Sequence, residues 1–223
     1  PEDRLFHLND KISDKEGALI EVLSIGFHAS NRGEVKQADS IAIWGAGKVG
    51  QCILQAVKTK TDQPVFLIDV LNSRLEMAQK NYPDIIPINP VKENPVNRIK
   101  KETHNRGVDI AFEAIGHATN VKNLSHPVRS CVQSIRGAGK VVVLGLSDQP
   151  APLVMKELIW KEANLISSRV SQGEFSETIS KLSEHKLQAE KLITGEMPAS
   201  QVQEAFRMLE ENPEDHLKIL LAL

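Results

Sequence analysis

Short apolar runs alternate along this chain with stretches whose apolar residues recur at helical spacing. Such alternation predicts a parallel sheet with helices on both faces. Strands are expected over residues 40–44, 64–68, 85–88, 108–113, 140–144 and 164–167. Val49, Ile53 and Val57 stand four apart after the first of these, giving the following helix one face to bury. Ser13 with Glu16, Ser73 with Glu76, and Ser200 with Gln203 have the spacing of a capping box, in which two side chains reciprocally satisfy free N–H groups at a helix start. A helix over residues 14–30, with Ala18, Leu19, Val22 and Leu23 on its apolar side and Gly33 as its stop, precedes the first strand. Another, over 174–184, follows the sixth. The run 192–194, a helix containing Val202, Ala205, Phe206 and Leu209, and an apolar run over 217–223 complete the pattern.

Between the first strand and its helix lies Gly45-Ala46-Gly47-Lys48-Val49-Gly50, three glycines at G-x-G-x-x-G spacing. Gly45 lets the chain turn off the strand, Gly47 lets the backbone approach a pyrophosphate, and Gly50 lets the helix pack closely on the sheet. A diphosphate would then rest at the helix N-terminus, where unpaired N–H groups and the positive end of the dipole favour an anion. Asp69 closes the second apolar run at the distance expected for an acid that binds the adenosine ribose. A carboxylate there repels a 2′-phosphate, so NAD is favoured over NADP. The predicted fold class is α/β, a doubly wound Rossmann sheet of six parallel strands.

With 223 residues, the chain can hold one large or two small domains. Its 27 Lys and Arg against 29 Asp and Glu leave no basic stripe for nucleic acid. The mixed-sign stretches 92–101 and 184–191 read as solvated helix faces. No apolar run approaches the roughly 20 residues of a membrane span, and Pro1-Glu2-Asp3-Arg4 is unlike a signal peptide, so a soluble cytoplasmic protein is expected. Cys52 and Cys131 form no C-x-x-C pair and are expected in the core. No His pair has H-x-x-x-H spacing, with His28, His104, His117 and His126 scattered, and no G-x-S-x-G elbow is present. Metal clusters and acyl-transfer triads therefore lack an anchor. Trp44 and Trp160 stand apart from basic residues and read as packing or interface positions.

Several segments together resemble the medium-chain dehydrogenase/reductase superfamily, in particular its zinc-dependent alcohol and polyol dehydrogenases. They are Glu16-Gly17-Ala18-Leu19-Ile20-Glu21, the glycine loop, Ile68-Asp69 with Arg74 and Ala78, Gly107-Val108-Asp109-Ile110-Ala111-Phe112-Glu113-Ala114-Ile115-Gly116, Gly139-Lys140-Val141-Val142-Val143-Leu144-Gly145, and Glu204-Ala205-Phe206. The resemblance assigns Gly45, Ala46, Gly47, Lys48 and Val49 to the pyrophosphate turn, Asp69 to the ribose and Arg74 to the edge of the adenine. It places Ile115 and Gly116 against the cofactor, Gly145 and Leu146 by the nicotinamide amide, and Ser168 and Arg169 near the nicotinamide, although Ser167 stands where the pattern usually has glycine.

In such enzymes an N-terminal GroES-like barrel supplies the zinc ligands, and this sequence carries no counterpart of it. The resemblance therefore implies the cofactor-binding half of an oxidoreductase that passes a hydride between an alcohol or polyol and nicotinamide, with zinc only in the full-length parent. No metal or catalytic residue is assigned within the chain, which is expected to be inactive by itself. Glu21 matches a Glu that approaches the zinc in polyol-type relatives, but Val22 replaces the Pro that usually follows it. The expected organisation is a residual catalytic-domain segment over 1–13, an NAD-binding domain over 14–186 and a tail over 187–223 that packs on the missing barrel. A homodimer through the edge near the sixth strand is also expected. A non-catalytic nucleotide-sensing module and an S-adenosylmethionine-dependent methyltransferase are the alternatives; the latter would need a reversed seventh strand.

Overall fold

The computed structural model describes residues 5–117 and 124–222. Helices α1 (Asp14–Gly17) and α2 (Ile20–Arg32) lead into β1 (Ile41–Trp44), α3 (Lys48–Lys58), β2 (Val65–Ile68), α4 (Asn72–Asn81) and β3 (Ile86–Ile88). There follow α5 (Pro95–Glu102), β4 (Val108–Glu113), α6 (Pro127–Ser134), β5 (Ile135–Val143), α7 (Met155–Lys161), β6 (Asn164–Ser167) and α8 (Phe175–Ser183). The tail holds a 3₁₀ turn (Ala189–Leu192), β7 (Gly195–Pro198), a second 3₁₀ turn (Ala199–Gln201), α9 (Val202–Glu211) and β8 (Ile219–Ala222).

The strand order is β3-β2-β1-β4-β5-β6, and every pairing is parallel. β1 and β2 are buried along their whole length, as strands covered on both faces must be. Ile41, Ile43, Leu67 and Phe112 meet Ile53, Leu54 and Val57 of α3 on one face. Ala42, Trp44, Phe66 and Ala111 meet Val96, Ile99, Cys131 and Val132 of α5 and α6 on the other. The chain winds outward from β1 to β3, then crosses back to β4. Strand ends therefore diverge between β1 and β4 and leave a crevice at their C-terminal edge. Among the described residues no strand of this sheet is antiparallel, so the reversed strand expected of a methyltransferase is not found there.

A third apolar cluster ties α2 to α3 and α8 through Leu23, Phe27, Cys52, Ala56 and Leu182, and draws in Leu187, Leu192 and Leu217 of the tail. α2 approaches α3 so closely that a β-carbon on Gly26 would lie 2.3 Å from the Cys52 carbonyl oxygen. Both cysteines are buried and unpaired, as expected. Burial pushes the Cys52 thiol up to about 12 and Cys131 upward as well.

Several local expectations need correction. The helix predicted over 14–30 is two helices. Ser13 and Glu16 do form the capping box of α1, but the chain breaks at Ala18 and Leu19, where Leu19 is fully buried and core packing sets the offset into α2. Gly33 caps α2 with an ordinary right-handed conformation, and the left-handed residue is Glu34. Ser73 is no N-cap. α4 starts after Leu71, whose N–H is taken by Asp69 Oδ1 at 2.9 Å, while the Ser73 hydroxyl is buried without a partner. Ser200 lies in the second 3₁₀ turn, and no side chain caps α9.

β5 begins at Ile135 rather than at 140. Val108 pairs with Ile135 and Ile110 with Lys140, so residues 136–139 bulge opposite Asp109. In the tail Leu192, the first residue of the run 192–194, turns into the core, and the strand follows at Gly195–Pro198. Thr194 pins the register of the small β7–β8 sheet: its N–H donates to the Lys218 carbonyl at 2.8 Å and its hydroxyl accepts from Leu217 N–H at 2.8 Å. Pro1–Arg4 and Leu223, used in the sequence reading, lie outside the described residues.

Candidate functional site

The turn after β1 sits at the mouth of the crevice. Gly45 takes φ +100°, which L side chains rarely adopt, and donates its N–H to the Ile68 carbonyl at 2.7 Å. A β-carbon on Gly50 would stand 1.8 Å from the Gly45 carbonyl oxygen, so the first turn of α3 lies directly on the strand end. Gly47 is the N-cap of α3, and no side chain caps it. The first N–H groups of this three-turn helix are thus left without intrahelical acceptors.

Asp69 directly follows β2 and is only 7% exposed. Its Oδ2 accepts the Ala46 N–H at 2.7 Å, its Oδ1 holds the start of α4, and an Arg74 guanidinium nitrogen lies 3.8 Å from Oδ2. The carboxylate and the glycine turn are therefore one hydrogen-bonded unit. Gln51 reinforces it by donating to the carbonyls of Ala46 (3.3 Å) and Arg74 (3.1 Å).

A cavity of about 200 Å³ opens beside this unit, lined on one side by Gly45, Gly47, Asp69 and Arg74 and on the other by Ala114, Ile115 and His117. Of the residues expected to hold a cofactor, Gly45, Gly47, Asp69, Arg74 and Ile115 come together here. Ala46 contributes its N–H to Asp69, and Lys48 opens α3. The Val49 side chain packs on the core, leaving its backbone for the turn. Gly116, Gly145 and Leu146 form a second group where the loops after β4 and β5 touch. Ser168 and Arg169 follow β6. Ser168 donates its N–H to Val143 at 2.9 Å, with its hydroxyl buried and unpartnered, and Arg169 is exposed.

Sequence reasoning missed Trp44, Val70, Pro90, Leu124 and Pro127, which complete the cavity wall. Val70 and Pro90 each lie two residues past a strand, so the strand order itself was the signal for them. Trp44 is buried, in keeping with a packing role, whereas Trp160 is 76% exposed.

A profile described as zinc-binding dehydrogenase matches residues 49–184. The chain belongs to that family. It is 32% identical over 217 residues to an uncharacterized zinc-type alcohol dehydrogenase-like protein of Haemophilus influenzae, covering 96% of this chain and 61% of that protein. It is also 28% identical over 221 residues to sorbitol dehydrogenase of Bacillus subtilis, covering 99% and 60%. Among solved structures, Escherichia coli ECK1772, an oxidoreductase/dehydrogenase of unknown specificity, superposes with a TM-score of 0.90 at 27% identity, over 100% of this chain and 62% of that one. E. coli CFT073 rspB, solved with NADH, shares the fold with a TM-score of 0.89 at 24% identity, over 100% and 64%. The chain thus spans about three fifths of the length of these relatives.

The zinc implied by the family name does not fit the described residues. No group of three or more His, Cys, Asp or Glu among them is placed to hold a metal ion. Cys52 and Cys131 are buried in separate clusters, and Glu21 is an exposed acid in the first turn of α2, where it faces the helix dipole. A dinucleotide does fit: the turn is closed to a β-carbon at Gly45 and Gly50, the helix end is uncapped, and an acid borders an open cavity. Among the described residues, no helix is long and apolar enough to cross a membrane.

Proposed function

We propose that this chain is the NAD(H)-binding part of a zinc-type alcohol or polyol oxidoreductase. The observation that carries the reading is the 2.7 Å hydrogen bond between Asp69 and the Ala46 N–H at the mouth of an open cavity. One lone pair of each Asp69 oxygen is committed to the backbone, and the others are available to the vicinal hydroxyls of a ribose. The N–H groups at the head of α3 would hold the diphosphate, with Lys48 beside them as a cation. Arg74 would flank the base. Ile115, Gly116, Gly145, Leu146, Ser168 and Arg169, on the three loops at the far end of the crevice, would border the nicotinamide. The bound dinucleotide supplies the hydride acceptor; the protein's part is to fix where that ring lies. The acid at 69 favours NAD over NADP, because a 2′-phosphate would meet a carboxylate.

The same reading gives a residual catalytic segment over 1–13, a nucleotide-binding domain over 14–186 and a tail over 187–223 that would pack on the barrel of the parent enzyme. It also gives a cytoplasmic homodimer. Two buried free thiols suit a reducing compartment, β6 is a sheet edge with an exposed Leu165, and α7 exposes Ile159 and Trp160. Titration of the chain with NADH and NADPH, followed by nicotinamide fluorescence, tests the proposal. Saturable enhancement with NADH and a weaker response to NADPH are expected. Unchanged fluorescence with both up to millimolar cofactor would overturn it.

A further inference from the structure

Glu113 ends β4 and is only 2% exposed, a depth at which a carboxyl group must be hydrogen-bonded. Its partners lie in the loops. Oε1 accepts the N–H groups of Ile115 at 2.8 Å and Gly116 at 2.9 Å, curling the chain after β4 back over the strand end. Its main-chain carbonyl accepts from Leu144 at 2.8 Å and Gly145 at 3.1 Å, on the chain that leaves β5. One residue therefore binds both loops.

The loops meet without space for side chains. A β-carbon on Gly145 would lie 2.1 Å from the Gly116 nitrogen and 2.6 Å from Glu113 Oε2, and one on Gly116, at φ +82°, would lie 2.5 Å from the Leu146 carbonyl oxygen. The contact lies on the opposite side of β1 from Asp69, since β4 and β5 follow β1 in the sheet order while β2 precedes it. In a doubly wound sheet each half serves one mononucleotide.

The geometry points to Glu113 as the positioning residue for the nicotinamide half of the cofactor, acting through the backbone of residues 114–116 and 144–146 without touching the ligand itself. This assignment rests on the dinucleotide reading and divides it in two: Asp69 orders the adenosine side, Glu113 the nicotinamide side. A glutamine at 113 keeps an acceptor for the two N–H groups and an alanine does not. The two variants therefore separate loop organisation from mere bulk.

The test compares wild type, Glu113→Ala and Glu113→Gln for binding of NADH, which spans both halves, and ADP-ribose, which lacks the nicotinamide. In Glu113→Ala, NADH should weaken by about tenfold or more, the scale of losing one buried acceptor, while ADP-ribose stays within about twofold. The blue shift of bound NADH emission should vanish as well. Glu113→Gln should restore most of the NADH affinity. Equal weakening of both ligands, no weakening of either, or wild-type affinities equal for the two would overturn the assignment while leaving the dinucleotide reading intact. Wild type that binds neither overturns that reading first and the assignment with it. If Glu113→Ala does not fold, Gly145→Ala, which pries the same loops apart from the other side, must show the same split.

Discussion

The β-carbon that Gly50 lacks would lie 1.8 Å from the Gly45 carbonyl oxygen. Backbone cannot yield as the tip of a side chain can, so the third glycine of the turn is a steric requirement of strand-on-helix packing. Gly50→Ala should cost about 1–3 kcal/mol of folding stability, as overpacked cores do, and should weaken NADH by displacing the uncapped head of α3. Denaturant unfolding and cofactor titration would check both. A variant as stable and as tight as wild type would contradict the packing account.

Asp69 serves two masters, the Ala46 N–H and the start of α4. Asp69→Ala should therefore lower NADH affinity by about 10–100-fold, corresponding to about 1–3 kcal/mol for an unpaired buried donor and a lost ribose contact. The preference for NADH over NADPH should shrink in the same variant. Affinity ratios measured for both cofactors decide this, and an unchanged ratio would remove Asp69 from cofactor choice.

How much of this was legible depends on how local the cause was. The glycine turn, Asp69 and the six strands could be read from spacing, because each is set by residues within a few positions of one another. The break at Leu19 could not, since the burial that fixes it comes from α3, α8 and the tail. Nor could the start of α4: Ser73 looked like a cap, but the carboxylate of Asp69 took the Leu71 N–H first. Thr194 and Lys218 pair across 24 residues, and no periodicity within either segment announces that register. The cavity wall was partly hidden for the same reason, since Trp44, Pro90 and Pro127 become neighbours only once the strand order is known.

His28 Nδ1 lies 2.9 Å from Glu174 Oε1, joining α2 to the head of α8 in a buried pair. Burial pushes the Glu174 carboxyl up, but hydrogen bonds from His28 and from the Gln172 N–H outweigh it and hold the group below its ordinary value. A carboxyl depressed in the folded state adds stability above its unfolded pKa of about 4.3, and the contribution disappears as pH falls through the folded value. His28→Leu should thus destabilise most at neutral pH, with the gap to wild type closing towards acid. Urea unfolding from pH 7 down to about 3.5 would show this. A gap independent of pH would mean that the pair contributes only packing.

Lys161 gives a slope of the same sign in an alkaline window. Its ammonium donates to the carbonyls of Val132 (2.8 Å), Gln133 (3.0 Å) and Ile135 at the end of α6. Burial, with Lys100 nearby, pushes it down to about 8. The unfolded chain then holds more protons than the folded one between about pH 8 and 10, so stability should rise across that window relative to Lys161→Met. If the difference stays flat, the three carbonyls retain the proton.

Leu165 is exposed on the edge strand β6. Leu165→Lys should convert a homodimer to monomer without loss of NADH binding, since the substitution lies at an edge and not in the crevice. Light scattering at micromolar concentration would report it. A wild type already monomeric under those conditions would refute the dimer.

The contact between Gly26 and Cys52 brings the backbones of α2 and α3 together with no side chain between them. Such a junction has no room to slide. The exposed Glu21 at the head of α2 is then fixed relative to the glycine turn at the head of α3, so the two shift only together.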